Sequence, residues 1–302
     1  MDSGLSEAQR ARYAADGYLA PLDALTAEEA AQCHRQLAVV LRPDGTADVR
    51  VRNKPHLLFT WAADLVRHPR VLDAVAALLG PDLLVRQAVL FVKPPGDPGY
   101  VTWHQDAAYW DTSDAPSLSA WIALTDSVAS SGAVRVMPGS HHGGRLTHDL
   151  AADARARLLR GQSVAAEAVA RPEDTDCLRL RAGQFSLHHP WLLHGSPANR
   201  TDLPRIGLAV RYIHPAVRQT GPRQGALLVR GVDRYRHFDH ETAPRYDGDA
   251  QAAAWHVRHL RRYAAQVAWQ IVRRPTMEHL RLLGRLALRS ELTRALVRRN
   301  AS

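Results

Sequence analysis

The stretch LLVRQAVLFVKPPGDPGYVTWHQDAAYW, residues 83–110, decides how this chain is read. Its first eleven residues, rich in Val and Leu, predict a strand. The Pro- and Gly-rich PPGDPG that follows breaks it. YVTWHQD then begins a second strand. Downstream, SLSAWIALTD, AVRVMP, CLRLRAGQFSLHH and RIGLAVRYI are further short β-like runs, separated by Gly, Pro, Asp and Ser. That spacing points to an all-β sandwich or barrel and not to alternating βαβ units. Upstream the texture is helical. SEAQRARYAA (6–15) has Ser6 as N-cap and Asp16-Gly17 as its stop, and the run 26–41 starts at Thr26 with Glu29 three residues on. Residues 69–80 form a third helix closed by Gly80. Tyr18-Leu19 begins a short strand, and a helix near 152–160 interrupts the β-runs. The expected fold is mainly β, one jelly-roll core dressed by N- and C-terminal helices.

The chain has 302 residues and 46% hydrophobic content, enough for a sizeable core in one large domain or two small ones. The start, MDSGLSEAQRAR, is polar and unlike a signal peptide. The apolar run VLDAVAALL (71–79) is broken by Asp73 and too short to span a bilayer. Two cysteines, Cys33 and Cys177, exclude a disulfide framework and a thiolate-rich metal site. These features predict a cytoplasmic protein. The net charge of +9 lies wholly in residues 251–302, which hold eleven arginines and two acids, 11 − 2 = +9. Residues 1–250 are therefore formally neutral, and they are expected to form the jelly-roll unit with its N-terminal helices. Residues 251–302 are expected to form an Arg-rich helical extension packed on the same domain, arginines on the wet face. A dimer contact, docking of an acidic carrier protein and a basic helix on a membrane surface are the alternatives for this tail. Nucleic acid is disfavoured because no recognised binding module accompanies the charge. Oligomeric state is left open.

Within the opening stretch, His104-Gln105-Asp106 poses a choice between surface and metal site. The tripeptide alone is common by chance, and a second, His237-Phe238-Asp239, lies in a polar stretch expected to be a loop. Alternation along a strand places His104 and Asp106 on one face. A third ligand candidate, His194, lies in LHHPWLLHGSPANRTDLPR (187–205), followed by Gly195, Ser196 and, eleven residues on, Arg205. Two neutral imidazoles and one carboxylate make the facial triad of non-heme Fe(II) oxygenases, with three positions open. A bidentate keto acid fills two of them and O₂ the third. The far carboxylate of a dicarboxylate needs holding, which the Arg205 fork does at two points and the Ser196 hydroxyl assists.

The motifs WHQD, WIALTDSVASSGAVRVMPGSHH and HGSPANRTDLPR, in that order, resemble the phytanoyl-CoA dioxygenase-like branch of the Fe(II)/2-oxoglutarate oxygenases over roughly residues 5–240. The resemblance implies a double-stranded β-helix with iron held by His104, Asp106 and His194, and the 2-oxoglutarate C5 carboxylate on Arg205 and Ser196. It places Trp121 beside the cosubstrate, and Gln87 and Lys93 where polar cosubstrate or substrate contacts occur. Trp110, with Tyr109, falls in the substrate pocket. Core packing is the alternative for Trp110 and Trp121, and a solvated loop end for Lys93. Arg211, six past Arg205, faces the same side of a regular strand, to bind a substrate anion or brace the site. His141, His142, His188 and His189 are taken as structural.

The implied reaction consumes O₂ and 2-oxoglutarate, releases succinate and CO₂, and oxidises an unactivated C–H bond of a small molecule. Halogenating relatives replace the triad carboxylate by a small residue, so Asp106 favours hydroxylation. Desaturation, ring closure or epoxidation would use the same residues. The composition resembles that of high-GC bacteria, where this branch tailors secondary metabolites, free or tethered to a carrier protein. A cupin-like metalloprotein that does not use 2-oxoglutarate, with no need of Arg205, and a non-catalytic binding relative are the rival readings.

Overall fold

The computed structural model describes residues 4–42, 44–113, 116–149, 156, 163–164 and 174–273. The expected helix near 152–160 and the arginines beyond residue 273 lie outside the described residues, Ala156 excepted. Ala156 forms an isolated parallel bridge with Tyr100.

Among the described residues, the helices are α1 (Glu7–Asp16), α2 (Ala27–Ala38), α3 (Val49–Arg52), α4 (Thr60–Leu65), α5 (Pro69–Leu79) and α6 (Ala250–Arg273). The strands are β1 (Tyr18–Asp23), β2 (Leu83–Lys93), β3 (Val101–His104), β4 (Ser117–Ala123), β5 (Arg135–Val136), β6 (His148–Asp149) and β7 (Ser163–Val164). They continue as β8 (Asp176–Cys177), β9 (Gln184–His188), β10 (His194–Ser196), β11 (Arg205–Ile213), β12 (Gly225–Arg230) and β13 (Asp239–His240). Ser6 and Thr26 close capping boxes on α1 and α2, and Gly17, at φ 79°, ends α1. These short-range signals are the ones the sequence displays. The short α3 starts after Asp48, whose side chain accepts from the Arg50 amide at 2.8 Å, while α4 has no side-chain cap.

The large sheet runs β1-β9-β4-β11-β2-β12-β13 and the smaller one β3-β10-β5-β8. Their pairings are antiparallel except β12 with β13. The chain is thus a two-sheet jelly roll, as expected. The outward face of the large sheet carries Leu90, Ile122, Leu187, Leu208 and Val210, which pack with Trp61, Leu65, Val71 and Val75 of α4 and α5 in one buried cluster. Alternation then sends Lys93, Ser119, Trp121, Ser186, His188, Arg205 and Arg211 to the inner face. A hydrophobic wall of Tyr18, Trp121, Val134, Val136, Leu180 and Leu192 closes part of the space between the sheets.

The described part of the extension, α6, differs from an ordinary amphipathic helix. Arg258 and Arg261 are exposed, as expected, but so is Val257. Among the described side chains of α6, the buried ones are Ala252, His256, His259 and Gln266, spaced by four, three and seven residues along one face. Three of these four buried side chains are polar. The helix rests on the 3₁₀ turn Pro55–Leu57 and its neighbours, where His256 Nε2 bonds the Asn53 carbonyl at 2.9 Å. No helix among the described residues is long and apolar enough to cross a membrane.

Candidate active site

His194 of β10 is the direct cross-strand partner of His104 on β3. Opposed residues of an antiparallel pair carry their side chains on the same face, and the two imidazole centroids are 4.2 Å apart. Each ring is fixed by the same local device, a Nδ1–H donated to the carbonyl two residues back. His104 uses Thr102 O at 2.8 Å and His194 uses Leu192 O at 2.9 Å. A carbonyl only accepts, so Nδ1 carries the proton and the Nε2 lone pair is left for a metal. Burial and the neighbouring His194 push His104 down to about 3, which keeps the ring neutral.

Asp106 differs from the expectation of a strand continuing through it. β3 ends at His104, and Asp106 opens a 3₁₀ turn, Asp106–Tyr109. Gln105 is extended, at φ −114° and ψ 127°, so the alternation that aims Asp106 with His104 persists for one more residue. Ser119 Oγ donates to Asp106 Oδ2 at 2.7 Å, and Arg211 approaches Oδ1 at 3.4 Å. Burial pushes the Asp106 carboxyl up, but the charge of Arg211, aided by the Ser119 hydrogen bond, outweighs it and holds the group well below the usual carboxylate range. Ligand atoms of His104, Asp106 and His194 all lie within 4.8 Å of one another. Neutral nitrogens with fixed tautomers and an ionised oxygen, converging at that spacing, fit a divalent metal with open positions.

The second half of the site lies at the far end of β2 and β11, where Arg205 pairs with Lys93. Arg205 is 2% exposed. It donates to Ser196 Oγ at 2.9 Å and to Gly132 O, both neutral, and its Nε has no partner. Its Cζ sits 4.9 Å from the Trp121 ring centroid, and burial lowers it to about 10. A buried guanidinium without a carboxylate is costly, and a ligand carboxylate answers that cost. Lys93 is not a solvated loop end. It is buried, and its ammonium donates to the carbonyls of Ser196 and Pro197 and to the Ser196 hydroxyl.

The remaining predicted residues divide. Trp121 lines the inner face beside Arg205, where a Cβ on Gly207 would overlap its ring. Trp110 is buried, with its Nε1 unpartnered and its ring 5.4 Å from the Arg211 Cζ. Tyr109 stands edge-on to His148 at 5.2 Å. Gln87 is the cross-strand partner of Arg211 and bonds Asn53 Oδ1 at 3.3 Å, on the metal side of the site and away from Arg205. Arg211 braces Asp106. His141 and His142 bond the carbonyls of Ala14 and Ala15 at the end of α1, and His237-Phe238-Asp239 is no metal site, since Asp239 pairs with Arg223 and Arg262. His188 bonds Ser186 Oγ at 2.8 Å, its ring 5.6 Å from that of His194.

Sequence reasoning missed three contributors. Ser119 is legible only as the inward neighbour of Trp121. Gln105, fully buried, ties the carbonyls of Gly144 and Trp191 and the amide of Leu146 around the metal ligands. Gly132, at φ 77°, supplies the carbonyl that receives both Ser196 and Arg205.

Comparison with known proteins finds related sequences and a shared fold. The family described as Phytanoyl-CoA dioxygenase (PhyH) matches residues 13–207. A probable alpha-ketoglutarate-dependent hypophosphite dioxygenase of Stutzerimonas stutzeri is 32% identical over 164 residues, 54% of this chain and 56% of that protein. An ectoine dioxygenase of Streptomyces avermitilis is 28% identical over 224 residues, 66% of this chain and 76% of that one. Among solved structures, the non-heme monooxygenase ThoJ superposes with a TM-score of 0.78 at 35% identity, covering 88% of this chain and 100% of its own.

Proposed function

The chain belongs to the phytanoyl-CoA dioxygenase family of Fe(II)/2-oxoglutarate-dependent dioxygenases, and from that premise we propose that His104, Asp106 and His194 hold the iron and Arg205 the far carboxylate of 2-oxoglutarate. The observation that carries these roles is the convergence of the three ligand atoms within 4.8 Å. Iron with the keto acid supplies an oxidant for an unactivated C–H bond, consuming O₂ and releasing succinate and CO₂.

The protein's work is to hold and aim. Hydrogen bonds to Nδ1 set the two imidazoles before metal arrives, so little reorganisation is needed on binding. Ser119 and Arg211 keep Asp106 ionised and fix its orientation. Arg205 presents its free Nε–H to the C5 carboxylate, with Ser196 and Lys93 as neighbouring donors and Trp121 excluding water from one flank. Trp110 and Tyr109 wall the side on which a small organic substrate enters. Because Asp106 fills its position with a carboxylate, hydroxylation is favoured over chlorination, and the substrate class that fits the family is a small-molecule intermediate of secondary metabolism. Residues 1–250 form the oxygenase unit and the helical extension packs on it, a reading that the bonds from α6 to Asn53, Asp111 and Asp239 support.

The test is anaerobic. Fe(II) and 2-oxoglutarate are added to metal-free protein and the visible difference spectrum is recorded, with Asp106→Ala and Arg205→Ala in parallel. A weak charge-transfer band in wild type, lost in the first variant and shifted to high 2-oxoglutarate in the second, is expected. Iron binding without a band would overturn the keto-acid assignment.

A further inference from the structure

The device that fixes the His104 and His194 rings recurs at His148. His148 opens β6, and its Nδ1 bonds the Leu146 carbonyl, two residues back, at 2.9 Å. A carbonyl only accepts, so the proton sits on Nδ1 and leaves the Nε2 lone pair to accept. In His104 and His194 that lone pair is left for a metal. In His148 it receives the backbone amide of Gln105 at 3.0 Å.

Gln105 is the residue between His104 and Asp106. It is fully buried, so its amide has to find an acceptor inside the protein. Its side chain is tied to the same segment as its amide. Nε2 donates to Gly144 O at 2.7 Å, and Oε1 accepts from the Leu146 amide at 2.8 Å. A second segment closes the other side. Gln105 Nε2 also donates to Trp191 O at 2.8 Å, and the Ala107 amide donates to Pro190 O at 2.9 Å. The His148 ring stands edge-on to Tyr109, the last residue of the 3₁₀ turn that Asp106 opens, with centroids 5.2 Å apart. His148 therefore grips the stretch 105–109 at both ends, with Asp106 between them.

Asp106 is thus held in two ways. Ser119 and Arg211 of the large sheet hold its carboxylate. The main chain leading into it is set by the Gln105 amide. Without the acceptor on His148 a buried N–H would be left unpaired, which is costly. Rotation of the peptide joining His104 to Gln105 would relieve that cost and carry the aim of Asp106 with it.

We propose that His148 is a positioning residue for the metal centre, which by accepting the Gln105 amide fixes the peptide between two metal ligands and so the aim of Asp106. This rests on the reading of Asp106 as an iron ligand.

The experiment separates the acceptor from the ring. His148→Phe keeps an aromatic ring against Tyr109 and removes the acceptor. His148→Gln loses the ring and can present an amide oxygen to the same N–H. Fe(II) is titrated calorimetrically under nitrogen into the metal-free full chain of wild type, both variants and Asp106→Ala, below the Tm of each metal-free protein. Outer partners of metal ligands are worth about 10- to 100-fold in metal affinity, and a residue acting through the main chain belongs at the lower end. His148→Phe should therefore weaken iron by about 10-fold, while His148→Gln stays near wild type. A clasp that served folding alone would lower the Tm and leave iron affinity unchanged. Wild-type affinity in folded His148→Phe, or equal weakening in His148→Gln, overturns the proposal. Should His148→Phe fail to fold, the Gln variant decides: near-wild-type binding supports the acceptor role, and a loss of about 10-fold overturns it. Iron bound by Asp106→Ala as tightly as by wild type would sink the ligand reading, and the positioning role with it. A loss in Asp106→Ala with none in His148→Phe would sink the positioning role alone.

Discussion

His104 and His194 face one another across adjacent antiparallel strands, each ring anchored through Nδ1 to the carbonyl two residues before it. The metal end of the site is thus built from backbone register, with few adjustable parts. Asp106 supplies the only charge among the three ligands. Replacing it by Ala should leave two neutral nitrogens, eliminate the iron–keto acid band and stop succinate formation. Titration calorimetry with Fe(II) under nitrogen measures the lost affinity directly.

Arg205 should behave as a binding residue for the cosubstrate. Leaving a carboxylate buried opposite a truncated partner costs roughly 3–5 kcal/mol, so Arg205→Ala should raise the KM for 2-oxoglutarate by about 100-fold or more. Arg205→Lys should recover little, because an ammonium cannot reproduce the planar fork. Steady-state succinate assays at varied 2-oxoglutarate decide this.

Arg211 touches a metal ligand and not the metal. Outer partners of metal ligands are worth about 10- to 100-fold in affinity. Arg211→Met, which keeps the packing on Trp110, should therefore weaken iron by that factor. A variant with wild-type iron affinity would show that the 3.4 Å approach to Asp106 does no positioning.

Gly207 makes room for Trp121. A methyl group there overlaps the indole, and overpacking of this kind costs about 1–3 kcal/mol. Gly207→Ala should lower Tm and, because Trp121 flanks Arg205, raise the KM for 2-oxoglutarate as well. A lower Tm with unchanged KM would separate the tryptophan from the cosubstrate pocket.

Stability should fall as the solution is acidified. His56 and His259 stay neutral in the fold, far below the ordinary value of 6.5. The unfolded chain protonates them near 6.5, so below that pH it binds more protons than the native state and stability declines. Each such histidine contributes a loss of about 1.4 kcal/mol by about pH 5.5. Denaturant titrations between about pH 7.5 and 5.5 should show this slope, and His56→Gln should flatten it.

Much of the site could be read in one dimension because its signals are local. The strand 83–93, the capping boxes at Ser6 and Thr26 and the ligands His104, Asp106 and His194 depend on alternation, on residues three apart, or on side-chain chemistry with few alternatives. The burial of Lys93 was not legible, since a lysine before Pro-Pro looks solvated until β11 and the 196–197 segment close over it.

What the sequence determined by itself was the jelly-roll class, the capped helices α1 and α2, the long strand 83–93 and the donor set for a metal. Only the tertiary structure decided that Ser119 and Arg211 would meet on Asp106, that α6 would bury His256, His259 and Gln266, and that Lys93 would be enclosed against Ser196 and Pro197. Those are facts of burial and charge pairing between residues far apart in the chain. Periodicity reports which way a side chain points along its own element, while the partner that neutralises it, or fails to, is chosen by how the elements pack.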